Sequence, residues 1–157
     1  MTRRWRLSSS IEIARDAQTL YQMVADVTRM GEWSPVNTGG RWESDERGVG
    51  ALFTGRNETP GRTWETHCEV IVATPGREFA FAVGGARTRW GYTFEKTPSG
   101  TRVTESWEVP EESMPHWQER FGETTQKELG IREQAAREGM PATLAALKRV
   151  AEAAPAA

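Results

Sequence analysis

The sequence predicts an α+β fold: a curved antiparallel sheet of about seven strands, two short helices near the start, and a long helix at the C-terminal end. Three observations carry this. Apolar residues alternate with polar ones in period two from Trp5 to Ile13 and again in six stretches between residues 37 and 109. Those stretches are separated by short turn signals, with no room for crossover helices, so neighbours pair antiparallel as a meander. Ala142, Leu144, Leu147, Val150 and Ala151 then form a helical stripe that can cover one face of such a sheet.

The elements follow in order. Trp5, Leu7, Ser9, Ile11 and Ile13 share one face of a first strand. Asp16 is an N-cap, and Leu20, Met23, Val24 and Val27 lie on one stripe of the helix it opens. A second short helix covers Arg29 to Trp33 and stops at Ser34-Pro35, because the residue before a proline resists the helical region. Strands follow near 37–45, 50–57, 63–74, 77–84, 88–96 and 101–109, broken at Glu46–Gly48, Thr59–Arg62, Pro75-Gly76, Gly84-Gly85 and Pro98–Gly100. Beyond Pro110, Trp117 and Phe121 anchor a helical turn or two. Gly139 and Pro141 predict a kink or break in the last helix, since an interior proline removes a hydrogen bond at a cost of about 3 kcal/mol. Residues Ala153 to Ala157 are expected to fray.

A chain of 157 residues makes a single domain, here spanning 1–157. Its formal charge of −2 argues against an electrostatic nucleic-acid binder, which needs a concentrated basic surface; the Arg3-Arg4 pair is too short to supply one. No run approaches the roughly 18 apolar residues of a membrane span, and the start lacks a signal peptide's apolar stretch. One cysteine, Cys68, allows no internal disulfide. These features point to a cytoplasmic protein and leave homodimer formation open. With 2 His and 1 Cys, no metal-ligand spacing is present, and His67 and Cys68, adjacent in a strand, face opposite ways and cannot act as a base and nucleophile. Gly48-Val49-Gly50 precedes a strand and opens no helix, so no dinucleotide fingerprint exists. No cofactor is expected.

The distribution of apolar residues says more. Seven Trp stand beside 5 Phe and 2 Tyr. Strand parity places Trp64, Thr66, Cys68, Val70 and Val72 on one face, with Phe79, Phe81 and Val83, with Trp90, Tyr92 and Phe94, and with Val103, Trp107 and Val109. A curved sheet gripping a helix leaves a natural place for a small apolar ligand, and these residues wall it. Trp64, Trp90 and Trp107 are expected to line that cavity, whereas Trp5, Trp33, Trp42 and Trp117 fall elsewhere. Trp33 lies near a cavity mouth or packs the helices onto the sheet. The same parity carries Glu105 inward beside Trp107, and Asn57 inward beside Phe53. A carboxylate in an apolar wall has its charged form disfavoured, which suits a general acid or base; the plain alternatives are a pair with an arginine, a cap on helix backbone groups, or a β-bulge that turns Glu105 to solvent. Asn57 either lines the cavity or bonds to the neighbouring turn. On the last helix, Gly139 and Met140 make room for a ligand or merely mark a kink.

Particular runs resemble a known family. Ile11-Glu12-Ile13-Ala14, Leu20 through Asp26-Val27, Glu32-Trp33-Ser34-Pro35, Gly48-Val49-Gly50 leading to Phe53, Gly55-Arg56-Asn57 and Trp64 are similar to START-like (SRPBCC) proteins, in particular the polyketide cyclase/dehydrase family. Phe79-Ala80-Phe81, Trp90-Gly91-Tyr92, Gly100 through Trp107, and Gly139-Met140 through Leu144 and Leu147 extend the match over nearly the whole chain. Pro141 and the stretch Glu111–Lys127 depart from it. The resemblance implies a helix-grip fold that binds a small hydrophobic or aromatic, polyketide- or lipid-like molecule, with ligand contacts from Trp33, Phe53, Trp64, Cys68, Phe81, Trp90, Tyr92, Trp107, Gly139 and Met140. It also raises a catalytic alternative, cyclisation or dehydration with Glu105 as acid or base and Asn57 or Arg56 orienting a carbonyl. A third possibility is a non-catalytic protein-interaction module, since fold and function are separable.

Overall fold

The computed structural model describes residues 4–155; Arg3 and the last two alanines of the expected frayed tail lie outside them. Seven strands, β1 (Trp5–Ile13), β2 (Asn37–Trp42), β3 (Leu52–Thr59), β4 (Arg62–Thr74), β5 (Glu78–Val83), β6 (Thr88–Thr97) and β7 (Gly100–Val109), form one antiparallel sheet. Its order is β1-β7-β6-β5-β4-β3-β2, so every hairpin pairs sequence neighbours and only β1 finds its partner at a distance. Helix α1 (Ala17–Ala25) starts where Asp16 accepts a hydrogen bond from the Thr19 backbone N–H at 3.0 Å. The second short helix is a 3-10 turn over Val27–Glu32, capped by Asp26. Its backbone crosses β2 so closely that a Cβ on Gly40 would lie 2.7 Å from the Val27 carbonyl oxygen.

After β7 come α2 (Met114–Phe121) and α3 (Thr125–Ala153), flanked by short 3-10 turns. The expected break at Gly139 and Pro141 is absent, because α3 runs through both. Pro141 and Arg137 are exposed, so the Arg137 carbonyl that loses its helical donor is open to water and carries no burial penalty. Gly139 has nothing within 4 Å of where a Cβ would stand. Gly139→Ala should therefore stabilise the chain by about 0.5–1 kcal/mol, the ordinary helix-propensity gain, measured as a rise in the urea midpoint; a loss would mean the site is tighter than its geometry.

Two apolar clusters lie between sheet and helices. The larger joins α1, the concave face of β3–β7 and the C-terminal half of α3 through Leu144, Leu147 and Ala151. The smaller, at the opposite end, gathers Trp5, Ala86, Trp107, Val109 and Trp117 against Leu129, Ala136 and Met140. Half-buried Trp90 packs against both. The end of β1 is tied to the end of α3. Lys148 Nζ donates to the Glu12 carbonyl at 2.9 Å, the Ala14 N–H donates to Glu152 at 2.9 Å, and Arg15 Nε donates to the Ala151 carbonyl at 2.7 Å. The last of these places a cation on a carbonyl of the final helical turn, where the helix dipole favours it.

Candidate functional site on the concave face

Residues opposite one another in an antiparallel ladder share a face, so the register assembles the wall row by row. One row runs Leu7, Trp107, Trp90, Phe81 and Val70; the next runs Ser9, Glu105, Tyr92, Phe79 and Ala73. A further row sets Val83, Cys68, Phe53 and Trp42 side by side. Phe53 packs edge-on against Trp42 at 5.6 Å and Phe81 at 5.2 Å. Trp42, expected elsewhere, therefore belongs to this wall, and Trp5 closes its far end. Val72 does not face inward as its parity suggests. A bulge between Val70 and Val72 puts Val72 opposite Ala80, on the outer face, and brings Ala73 into the core instead.

Glu105 is buried among these rings, 4% exposed. Tyr92, directly opposite on β6, donates its hydroxyl to Oε2 at 3.1 Å. Oε1 has no hydrogen-bond partner, the one such buried side-chain atom among the described residues. Removal from water pushes the carboxyl up to about 8, against a smaller lowering by the Tyr92 hydrogen bond, so at neutral pH it is mostly the uncharged acid. Burial and the neighbouring Glu105 likewise hold the Tyr92 phenol well above its usual range.

The other expected polar residues do not join this pair. Asn57 is buried on the concave side, but four strands from β7, and its amide is spent locally: it donates to the Trp64 carbonyl at 3.4 Å and to Thr66 Oγ1 at 3.3 Å, while Oδ1 faces Asn37 Nδ2 at 3.5 Å. These bonds hold the β2–β3–β4 end together. Arg56 is exposed on the opposite face of β3, across from Glu65, and does not reach the concave side. Cys68 is buried with its thiol pushed up to about 11 by desolvation, which leaves it a packing group with no thiolate.

The aromatic positions divide by exposure. Trp33, Phe53, Phe81, Tyr92 and Trp107 are buried. Trp64, Trp90 and Trp42 are half-buried although they face inward. Trp64 is stacked by the Arg62 guanidinium at 4.3 Å and Trp42 by that of Arg47 at 4.2 Å, while Arg29 lies 5.6 Å from the Trp33 ring. Met140 is buried in the smaller cluster and Gly139 is half-buried beside it. Trp117 stacks on Phe121 at 5.9 Å, with Arg132 over both rings, which gives the Glu111–Lys127 stretch its role: it caps the smaller cluster. An open depression of about 780 Å³ adjoins the smaller cluster, between the β5–β6 hairpin and the β7–α2 connection, lined by Trp5, Ala86 and Val109 together with Arg87, Arg89 and His116 among others. None of the expected site residues lines it.

A family model described as polyketide cyclase / dehydrase and lipid transport matches residues 4–152. The chain belongs to this family. A polyketide cyclase-like protein from Corynebacterium glutamicum, solved by NMR, is 43% identical over 97% of this chain and 94% of that one, with a TM-score of 0.70. Protein NE0264 from Nitrosomonas europaea shares the fold at 16% identity over 94% of each chain, with a TM-score of 0.71. The di-domain ARO/CYC StfQ from the steffimycin biosynthetic pathway does so at 14% identity, over 95% of this chain and 51% of its own, with a TM-score of 0.69. No curated protein matches the chain. As a member of the polyketide cyclase/dehydrase and lipid transport family, the chain has the helix-grip arrangement that the resemblance implies. No helix among the described residues is long and apolar enough to cross a membrane.

Proposed function

We propose that the chain binds a small hydrophobic or aromatic molecule on the concave face between the sheet and α3. One observation carries the reading: inward-facing Trp64, Trp90 and Trp42 are only half-buried, in a largely apolar wall that also holds a buried acid and phenol. Large rings left partly uncovered on a concave surface, with a few polar groups converging among them, are what a site for an apolar ligand needs. The family's description, which joins cyclases and lipid transport, fits the same chemistry. Titration with 2-ethylnaphthalene, an apolar aromatic probe, should shift the indole N–H resonances of Trp64 and Trp90. Trp90→Ala should weaken binding about tenfold, a loss in line with removing one buried ring contact. Shifts confined to residues around the β7–α2 depression would sink this reading.

A second reading is catalytic, and the state of Glu105 favours it: a carboxyl that is uncharged at neutral pH is able to act as a general acid in a dehydration or ring closure. It separates cleanly from mere binding. If Glu105→Gln keeps ligand affinity and abolishes turnover of a polyketide-like substrate, Glu105 is catalytic; unchanged turnover excludes that role.

A further inference from the structure

The Glu105–Tyr92 pair has a direction. Tyr92 donates its hydroxyl to Oε2, while Oε1 is buried without a partner, which leaves Oε1 as the oxygen free to donate when the carboxyl is protonated. From this geometry we infer that the concave site selects uncharged ligands bearing an acceptor oxygen, such as a ketone, ester or amide carbonyl, and rejects carboxylates, because Glu105 meets the ligand as a hydrogen-bond donor from Oε1. This rests on the concave-face reading above and adds to it the chemistry of the ligand's polar end.

The surroundings sharpen the selection. Beside Glu105 in the same row are Ser9 on β1 and Tyr92 on β6, with Phe79 beyond on β5. Trp107 and Trp90 form the adjacent row, and α3 brings Met140 and Leu144 to the clusters on either side. Among these groups Tyr92 is the one that titrates, and it stays a neutral phenol throughout the ordinary range. The cations of the wall, Arg62 and Arg47, stack on Trp64 and Trp42 on the far strands β4 and β2, and among the described residues no arginine or lysine acts on Glu105, so burial of a ligand carboxylate beside it would be opposed by desolvation. A carbonyl oxygen brings no charge and supplies the acceptor that Oε1 lacks. A donor buried without an acceptor is the arrangement that best separates a ligand with the matching group from its hydrocarbon analogue.

The test compares three probes of one size: 2-acetylnaphthalene, 2-ethylnaphthalene and 2-naphthoate, by calorimetry or tryptophan fluorescence at pH 6.5. The ketone should bind about tenfold more tightly than the ethyl compound, and the carboxylate at least tenfold more weakly than the ketone. Above pH 8 the ketone's advantage should fade while the ethyl compound's affinity stays level. In Glu105→Leu the two neutral probes should bind alike; in Glu105→Gln, whose amide N–H still donates, part of the preference should survive, which separates lost donation from lost structure. Equal binding of ketone and ethyl probes to the native chain, or naphthoate binding as tightly as the ketone, overturns the inference and leaves the concave-face reading standing. Failure of all three probes to bind overturns both.

Discussion

Glu105→Gln should make the chain more stable at pH 7 by about 2–3 kcal/mol, the largest gain expected from any single substitution here. Glu105 has a folded-state value of about 8 against 4.5 for the exposed residue. Between these values the folded chain holds a proton that the unfolded chain has released, so stability falls as pH rises. The contribution is complete below about pH 4.5 and lost by about pH 8, and at about 1.4 kcal/mol per unit it sums to about 4–5 kcal/mol across that window. Gln carries no proton to lose and keeps the shape, although its amide also lacks a full set of partners. Urea unfolding of both proteins from pH 4.5 to 8.5 gives the measurement. Their stability difference should widen steadily with pH; parallel curves would show that Glu105 is solvated or ion-paired in solution.

Gly100→Ala should be the most damaging small substitution, costing about 4 kcal/mol or more. Gly100 opens β7 at φ +154, and a Cβ there would lie 2.1 Å from the Ile13 carbonyl oxygen and 2.9 Å from the Ala14 Cα. Both neighbours are backbone at the end of β1, so relief requires β1 and the β6–β7 hairpin to separate, a core-disrupting change of the kind that produces exceptional losses. Gly61→Ala is the control. Gly61 also has positive φ, +77, but open space around it, so only backbone strain of about 1–2 kcal/mol applies. Equal losses at the two sites, by thermal or urea unfolding, would refute the steric argument.

Much of the fold could be read from the chain because period-two patterning survives wherever one sheet face is buried. Parity placed Glu105 inward with Val103, Trp107 and Val109, and all four are buried. The partner of Glu105 was also within reach. A two-residue connection, Pro98-Ser99, pairs Thr97 with Gly100, and that register sets Tyr92 opposite Glu105. Two features were not legible. The β4 bulge inserts a residue within Val70-Ile71-Val72, where every side chain is apolar and no turn residue marks the slip, so parity alone puts Val72 on the wrong face. Pro141 reads as a breaker from its chemistry alone, yet its effect depends on which side of α3 it occupies, and the solvent side tolerates it. The isolation of Arg56 from Glu105 follows from parity itself: a residue next to inward Asn57 faces outward.

The placement of β1 at the far edge of the sheet has a consequence for how the chain acquires its structure. Every other strand pairs with a neighbour that precedes or follows it directly, but Trp5 waits for Val109 and Ala14 waits for Glu152. At a synthesis rate of roughly 5–20 residues per second, β1 emerges on the order of ten seconds before α3 exists to hold it. Until then Trp5, Leu7, Ile11 and Ile13 have no sheet to lie on. The meander β2–β7, built from local hairpins, can assemble first, and β1 closes it last, pairing Ile13 with Thr101 across 87 intervening residues. The strand that begins the described chain is therefore the last to become part of the fold.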